Sequence, residues 1–207
     1  MATPLEKARK NPDSVKAKIL NIARKLFGEY GFHGTTTRMI AKEAGIDISS
    51  LHYHWGDKIN LFEAVVQDIS DGMREQLVKV ERKIKGLPLA KRIELALHEM
   101  ADYLFDHPEI SNLTLLRYFT KTREDANFDF HVPEFMSDIA YSMGLSESRK
   151  NVSIEAQMRV LGMMNSIHNF ISGEDFFRSM LKIDHETYKK HAKETLTFYN
   201  TAPFSDE

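Results

Sequence analysis

The chain has 207 residues, of which 42% are hydrophobic and 28% are charged, a balance typical of globular proteins. It contains no cysteine, which excludes disulfide-stabilised scaffolds and zinc sites that use Cys ligands. The formal net charge of −2 conceals an asymmetry: residues 1–60 carry ten Lys and Arg against six Asp and Glu, and the rest of the chain carries the excess of acid. A basic head on an acidic body indicates a localised nucleic-acid surface.

The chain begins with a polar segment, residues 1–12, which we expect to be a mobile arm. A first helix is predicted over residues 14–30, because its apolar residues recur at spacings of three and four. Ser14 can cap this helix, and Gly31 ends it.

The next stretch, TTRMIAKEAGIDISSLHYHW over residues 36–55, predicts two short helices joined by a tight turn. Gly45 ends the first helix, because a left-handed position is cheap only for a residue without Cβ. Asp47 can cap the second helix, and Leu51 and Trp55, four residues apart, place it against the first. This arrangement is a helix-turn-helix, whose second helix enters the major groove of DNA.

Two groups of side chains in this unit are candidates for DNA contact. Threonines at the start of the first helix can offer hydroxyl and N–H groups to a phosphate, and the arginine that follows can bind a phosphate or a guanine edge. These residues are Thr36, Thr37 and Arg38. On the second helix, the residues left to face outwards are Ile48, Ser49, Ser50, Tyr53 and His54.

The same region resembles the TetR family of bacterial transcriptional regulators. The segments that carry the resemblance are ARKLFGEYGFHGTTTRMIA, residues 23–41, and LHYHWGDKINLFEAVV, residues 51–66, within a match over about residues 14–69. The resemblance implies that base and groove contacts are made by Ile48, Ser49, Ser50 and Tyr53. It also implies backbone contacts by His54 and by Lys58, the latter at the N-terminus of the next helix.

This sequence departs from the family pattern at two positions of the second helix. His52 stands where the family usually has tyrosine, and we retain it as a candidate DNA contact. Ile48 stands where the residue is often polar, and its side chain offers only apolar contact, for example to a thymine methyl group. These departures bear on which operator is read rather than on DNA binding itself.

Beyond the helix-turn-helix, the periodicity predicts helices throughout. They are expected over residues 57–85, from 89 to the break at Pro108, and over 109–122, 133–143, 148–171 and 184–200. We therefore predict an all-α fold of about nine helices. It comprises a DNA-binding domain with a three-helix core over residues 1–60 and a helical ligand-binding and dimerisation domain over 61–207.

We find no pattern of catalytic or cofactor-binding residues. The chain lacks a phosphate-binding loop, a dinucleotide-binding glycine pattern and a nucleophile elbow. Pairs such as His98 and Asp102, one helical turn apart, are better explained by hydrogen bonding than by metal binding. We therefore predict no enzymatic activity, no cofactor and no metal. With no apolar run of membrane-spanning length and no secretory signal at the start, we expect a cytoplasmic protein without membrane contact.

The C-terminal region is rich in large, adaptable apolar side chains. In the TetR family this region encloses a small-molecule cavity, and a lining rich in methionine and phenylalanine would suit an apolar or aromatic effector. Most of these residues also suit an ordinary core. The candidate ligand-binding residues are Met73, Leu77, Met100, Leu104, Leu116, Phe119, Phe135, Ile139, Met143 and Met164.

The last two predicted helices, over residues 148–171 and 184–200, carry apolar residues on more than one face. One face packs on the subunit core, and the resemblance implies that the other forms a homodimer. A dimer would read the two halves of a palindromic double-stranded operator.

We therefore predict a DNA-binding transcriptional regulator, a repressor released by a small ligand. Two alternatives stay open at this point. The first is a DNA-binding protein of the same fold that lacks a small effector and acts through protein partners. The second is an enzyme or a ligand carrier built on the helical body.

Overall fold

The computed structural model describes residues 2–119 and 132–201, and all regular structure within these ranges is α-helical. The predicted all-α class is thereby confirmed. In the described ranges no helix is long and apolar enough to cross a membrane. The helices are α1 (Pro4–Lys10), α2 (Val15–Gly34), α3 (Thr37–Ala44), α4 (Ile48–Trp55), α5 (Lys58–Ile84), α6 (Leu89–Asp106), α7 (Pro108–Phe119), α8 (Val132–Ser142), α9 (Ile154–Ser172), α10 (Glu174–Leu181) and α11 (His185–Thr201).

Two of these helices, α1 and α10, were not predicted, which accounts for eleven described helices where the sequence suggested about nine. The chain divides into two compact units. Their described parts are residues 2–72 with 112–119, and 73–111 with 132–201. The division falls within α5, whereas the boundary predicted from the sequence lies at residue 60, near the start of that helix.

The first unit is built around α2, α3 and α4. Its core contains Phe27, Ile40 and Leu51, all fully buried, one from each helix. The ring of Phe62 on α5 meets the ring of Phe27 edge-on at 4.9 Å between centroids. Aromatic contacts of this kind stabilise the core beyond the contribution of the apolar area that the rings bury. The result is a small, rigid support for the helix-turn-helix.

The expected mobile arm over residues 1–12 is wrong for its described middle part, which forms α1. A capping box starts this helix: Glu6 N–H donates to Thr3 Oγ1, and Thr3 N–H donates to Glu6 Oε2. Leu5 is buried, and the Arg9 guanidinium donates to Asp68 and Asp71 of α5 at 2.9 Å each. The short helix is therefore stabilised both by its N-terminal capping box and by ion pairs with residues that are distant in sequence.

The predicted stop at Gly31 is visible as a break rather than as the end of the helix. α2 is assigned to Gly34, but Gly31 has φ 69° and ψ 177°, which interrupts the helical backbone. An L-residue with a side chain would be strained at this φ. The buried Thr35 then ties the chain back, because its single hydroxyl proton is shared between the carbonyls of Leu26 and Gly31, at 2.9 and 2.8 Å from Oγ1.

The second unit packs α6, α9 and α11 against one another, with α8 on α9. The predicted helix over 148–171 is wrong at its start, because α9 begins at Ile154. Ser153 caps it by accepting from Ala156 N–H. Before it, the hydroxyl of Ser146 bonds to both the N–H and the carbonyl of Ser148, at 3.3 and 2.8 Å. Such local side-chain bonds compete with helix formation and favour a turn.

Candidate functional site

The helix-turn-helix, α3 with α4, is held together by backbone and capping hydrogen bonds. Gly45 adopts the left-handed conformation with φ 67° and ψ 35°, and Ile46 N–H reaches back to the carbonyl of Ala41 at 3.0 Å. This is the Schellman pattern that ends a helix and reverses the chain. Asp47 Oδ1 then accepts from Ser50 N–H at 2.7 Å and starts α4. The predicted turn chemistry of Gly45 and Asp47 is therefore present.

The face of α4 that points to solvent carries most of the predicted base-contact residues. Tyr53 is 85% exposed and Ile48 is 37% exposed, while Leu51 and Trp55 on the other face are buried. Ser49 and His52 are also exposed, and Ser50 and His54 are half-buried. The eight-residue helix thus presents a polar and aromatic face on a buried apolar support.

The C-terminal end of α4 is anchored to α2 by a reciprocal pair of hydrogen bonds, which no local sequence pattern indicates. Lys16 Nζ donates to the carbonyl of His54 at 2.6 Å, and Trp55 Nε1–H donates to the carbonyl of Lys16 at 3.1 Å. Burial, followed by the nearby charge of Lys7, lowers the pKa of Lys16. The ammonium of Lys16 therefore fixes the angle of α4, as helix C-termini favour cations.

His52 also closes this end of the helix. Its Nδ1 lies 2.9 Å from the carbonyl of Gly56. A carbonyl can only accept, so Nδ1 carries the proton and Nε2 of the neutral ring is an acceptor. The exposed Nε2 edge is what His52 can present to DNA.

Lys58 lies at the start of α5 and is bound by backbone carbonyls. Its Nζ donates to Phe32 O at 2.8 Å and to Thr35 O at 3.0 Å, and it stands 4.2 Å from the ring centroid of Phe32. An ammonium has three N–H donors, so one remains for a phosphate. The geometry gives Lys58 a structural role that the sequence alone did not indicate.

The start of α3 presents the other predicted group. Thr36 caps this helix, its Oγ1 accepting from Met39 N–H at 3.2 Å. Thr36 and Arg38 are exposed and Thr37 is half-buried. The first N–H groups of a helix have no partner within it, so this end is suited to an anion. Thr36, Thr37 and Arg38 therefore surround one terminus that can bind a phosphate.

The second unit contains an apolar cavity of about 330 Å³, lined by α5, α6, α8 and α9 among others. Pockets of a few hundred Å³ are the usual size for small-molecule sites. Of the ten residues predicted to bind a ligand, eight line this cavity: Met73, Leu77, Met100, Leu104, Phe135, Ile139, Met143 and Met164.

The other two predicted ligand-binding residues have different positions. Leu116 does not line this cavity: it belongs to the first unit, where it is 42% exposed and lies near Gly31. The spacing of apolar residues on its helix indicated that Leu116 faces inwards, but it could not indicate in which of the two units. The side chain of Phe119 lies outside the described residues.

The polar residues that line the cavity were not predicted. Arg149 donates to Glu81 at 2.9 Å and pairs with Asp138 at 3.0 Å, and Arg74 lies over the ring of Phe135. His168 is 2% exposed, with Nδ1 at 2.9 Å from Ser111 Oγ. Burial lowers the pKa of His168 to about 4. Its position was hidden in the sequence, because a single His on an apolar helix face carries no distinguishing signal.

A third surface of interest is formed by α9, α10 and α11 of the second unit. These helices expose large apolar side chains, among them Ile154 at 80%. Soluble proteins seldom leave such a patch uncovered. The exposed apolar residues on these helices are Ile154, Met158, Phe176, Met180, Leu181, Phe198 and Tyr199.

The fold and the exposed face of α4 define a helix-turn-helix protein. Residues 19–65 match the family model described as bacterial regulatory proteins, tetR family. Curated relatives include the regulator AcrR of Shigella flexneri, 21% identical over 74% of this chain and 64% of its own length. Another is the repressor AcnR of Corynebacterium glutamicum, 28% identical over 57% of this chain and 68% of its own length.

Solved structures extend the likeness in fold over nearly the whole chain. The regulator FadR of Bacillus subtilis, solved in complex with stearoyl-CoA, has a TM-score of 0.56 at 14% identity and covers 87% of this chain and 97% of its own. The likeness at this identity concerns the fold alone. Residues 19–65 thus match the tetR family of bacterial regulatory proteins, and the chain shares its fold with solved TetR-like regulators.

Proposed function

We propose that the protein is a sequence-specific DNA-binding transcriptional regulator, a repressor that a small apolar or aromatic ligand releases from its operator. The observation that carries this proposal is the exposed face of α4, with Tyr53 and Ile48 on a helix fixed at both ends. An eight-residue helix is about 12 Å long, which suits the major groove of about the same width.

Positioning on DNA is assigned to residues around this helix. The N-terminus of α3, with Thr36, Thr37 and Arg38, would bind a backbone phosphate. Lys58 would add a phosphate contact through its third N–H. Ile48, Ser49, Ser50 and Tyr53 would read the groove, with His52 and His54 beside them. Of these, only contacts to base edges carry sequence information.

The active form is proposed to be a homodimer that reads a palindromic operator. The exposed apolar residues of α9 and α11, such as Met158 and Phe198, supply a surface that a second copy can cover. Two subunits related by a twofold axis would present two α4 helices to half-sites about 34–36 Å apart or a multiple of that distance. The relatives include named repressors, which supports this direction of control.

The effector is proposed to bind in the cavity of the second unit. Its Met and Phe lining offers adaptable apolar contact. A ligand releases DNA only if it binds the DNA-free form more tightly, and the effect is reciprocal. Typical couplings of about 1–3 kcal/mol would weaken operator binding by about 5–150-fold.

The test begins with selection of bound sites from genomic fragments by the purified full-length protein. Ligands found by thermal-shift screening are then added during titration of the selected site. Weakened operator binding supports the repressor proposal. A ligand that binds tightly but leaves operator affinity unchanged favours the alternative, a DNA-binding protein that acts through protein partners.

A further inference from the structure

The polar lining of the cavity indicates what kind of ligand it would take, an inference that rests on the proposed function. Most lining side chains are apolar, and among the polar ones His168 is the one that is buried, at 2% exposure. Its Nδ1 is bonded to Ser111 at 2.9 Å. Its other ring nitrogen, Nε2, has no hydrogen-bond partner within the described part of the chain.

The proton positions follow from counting donors and acceptors. Ser111 is fully buried, and its hydroxyl proton needs an acceptor. Its partner among the described residues is Nδ1 of His168. The serine hydroxyl therefore donates to Nδ1, and the proton of the neutral imidazole lies on Nε2. His168, which lines the cavity, thus has an N–H at Nε2 for which the described residues provide no acceptor.

The charges that line the cavity do not favour an ionised ligand. The guanidinium of Arg149 pairs with both Glu81 and Asp138, and the other lining cation, Arg74, is half-buried and lies over the ring of Phe135. The four formal charges sum to zero. Burial also lowers the pKa of His168 to about 4, so the imidazole supplies no positive charge at neutral pH. Because Arg149 is already paired and Arg74 is only half-buried, a carboxylate buried beside His168 would lack a buried cation to compensate its lost hydration.

We infer that the ligand is an uncharged, largely apolar molecule that carries a hydrogen-bond acceptor, and that Nε2 of His168 donates to this acceptor. Esters, ketones and lactones have this chemistry. A site whose N–H donor has no acceptor from the protein also discriminates against an analogue that lacks the acceptor, because that analogue leaves the donor unsatisfied. Ser111 is a positioning residue, since it fixes the tautomer of His168.

The experiment is calorimetric titration of the full-length protein with three probes of similar size: methyl octanoate, octanoate and nonane. We expect methyl octanoate to bind at least about tenfold more tightly than octanoate, because only the anion must be buried without a compensating charge. We expect nonane to bind about 3–10-fold more weakly than the ester, the range of one net hydrogen bond. Equal or tighter binding of octanoate overturns the inference, as does the absence of ester binding.

Two variants test the role of His168 itself. His168→Phe keeps an aromatic ring and should weaken binding of methyl octanoate by about 3–10-fold while leaving nonane binding equal or tighter. Ser111→Ala should give a smaller loss for the ester, since Nε2 can then lose its proton to Nδ1. His98→Phe is the matched control, because His98 is half-buried, bonded to Thr197 and does not line the cavity. An unchanged ester affinity in folded His168→Phe contradicts the assignment.

The outcomes separate this inference from the proposed function. Selective DNA binding and ligand release are measured with the operator and do not depend on which probe is preferred. If octanoate binds best and Arg74→Gln abolishes that preference, the lining cation selects an anion and the inference fails, while the regulator proposal stands. If no operator is selected, the proposed function fails whatever the probes do.

Discussion

Replacing Lys58 by methionine separates two roles that the geometry gives to one ammonium group. Its Nζ donates to the carbonyls of Phe32 and Thr35 at 2.8 and 3.0 Å, and it stands 4.2 Å from the Phe32 ring. Hydrogen bonds to a charged group contribute about 1.5–3 kcal/mol when well formed. Lys58 is half-buried, so we expect Lys58→Met to lower the free energy of unfolding by about 2 kcal/mol in total. For a chain of this size the melting temperature should fall by about 4–8 °C.

The same variant should change DNA binding in a different way. Loss of one phosphate contact weakens binding to specific and random DNA alike and reduces the slope of log affinity against log salt by about one. Differential scanning calorimetry measures the first effect and fluorescence titration at several salt concentrations the second. Lys79→Met is the matched control, since Lys79 is an exposed lysine of the same helix. An unchanged melting temperature refutes the structural role, and an unchanged salt slope refutes the phosphate contact.

Three further predictions follow from other parts of the chain. Replacing Tyr53 or Ser50 by alanine should alter the selected DNA motif, at a cost of about 1–3 kcal/mol for each lost base contact. Because Tyr53 is exposed, its replacement should leave the melting temperature nearly unchanged. An unaltered motif for both variants would contradict the assignment of α4 as the helix that reads the bases. Charged replacement of Ile154 or Met158 should give monomers in analytical ultracentrifugation and abolish operator binding, whereas a wild-type protein that sediments as a monomer at micromolar concentration would contradict the dimer. Burial lowers the pKa of His168 to about 4, so as the pH falls the unfolded chain binds a proton at this residue before the folded chain does. The free energy of unfolding should therefore fall by about 2 kcal/mol between pH 7 and pH 5. Urea titrations at the two pH values should show this loss in the wild type and not in His168→Phe.

The helix-turn-helix could be predicted because its signals are local. The left-handed position of Gly45 and the cap at Asp47 depend on residues within one turn of the chain. Their geometry is therefore nearly independent of the rest of the fold. The exposed face of α4 follows from the burial of Leu51 and Trp55 at helical spacing.

The features that the sequence did not reveal depend on partners far away in the chain. Residues 1–12 were expected to be a mobile arm, but Arg9 of α1 binds Asp68 and Asp71, about sixty residues later. The ammonium of Lys16, near the start of α2, is held by the carbonyl of His54, 38 residues later. Long basic side chains can reach several partners, and composition does not say which is chosen.

The lining of the cavity could be predicted only in part from the sequence. The large apolar side chains of this region and the family resemblance led to ten candidate residues, of which eight line the cavity. Periodicity could not assign Leu116 to the first unit or single out His168 as the buried donor. Those distinctions depend on which helices are neighbours, which no local pattern records.

The most direct test of the central claim is the ratio of affinities for a selected genomic site and a scrambled sequence of the same composition, measured at one physiological salt concentration. A regulator that reads bases through α4 should prefer its site by at least about 10³-fold. The double variant of Ser50 and Tyr53 to alanine should lose most of that preference while keeping its affinity for the scrambled sequence. A wild-type ratio near one, or a preference that survives in the double variant, would contradict the account.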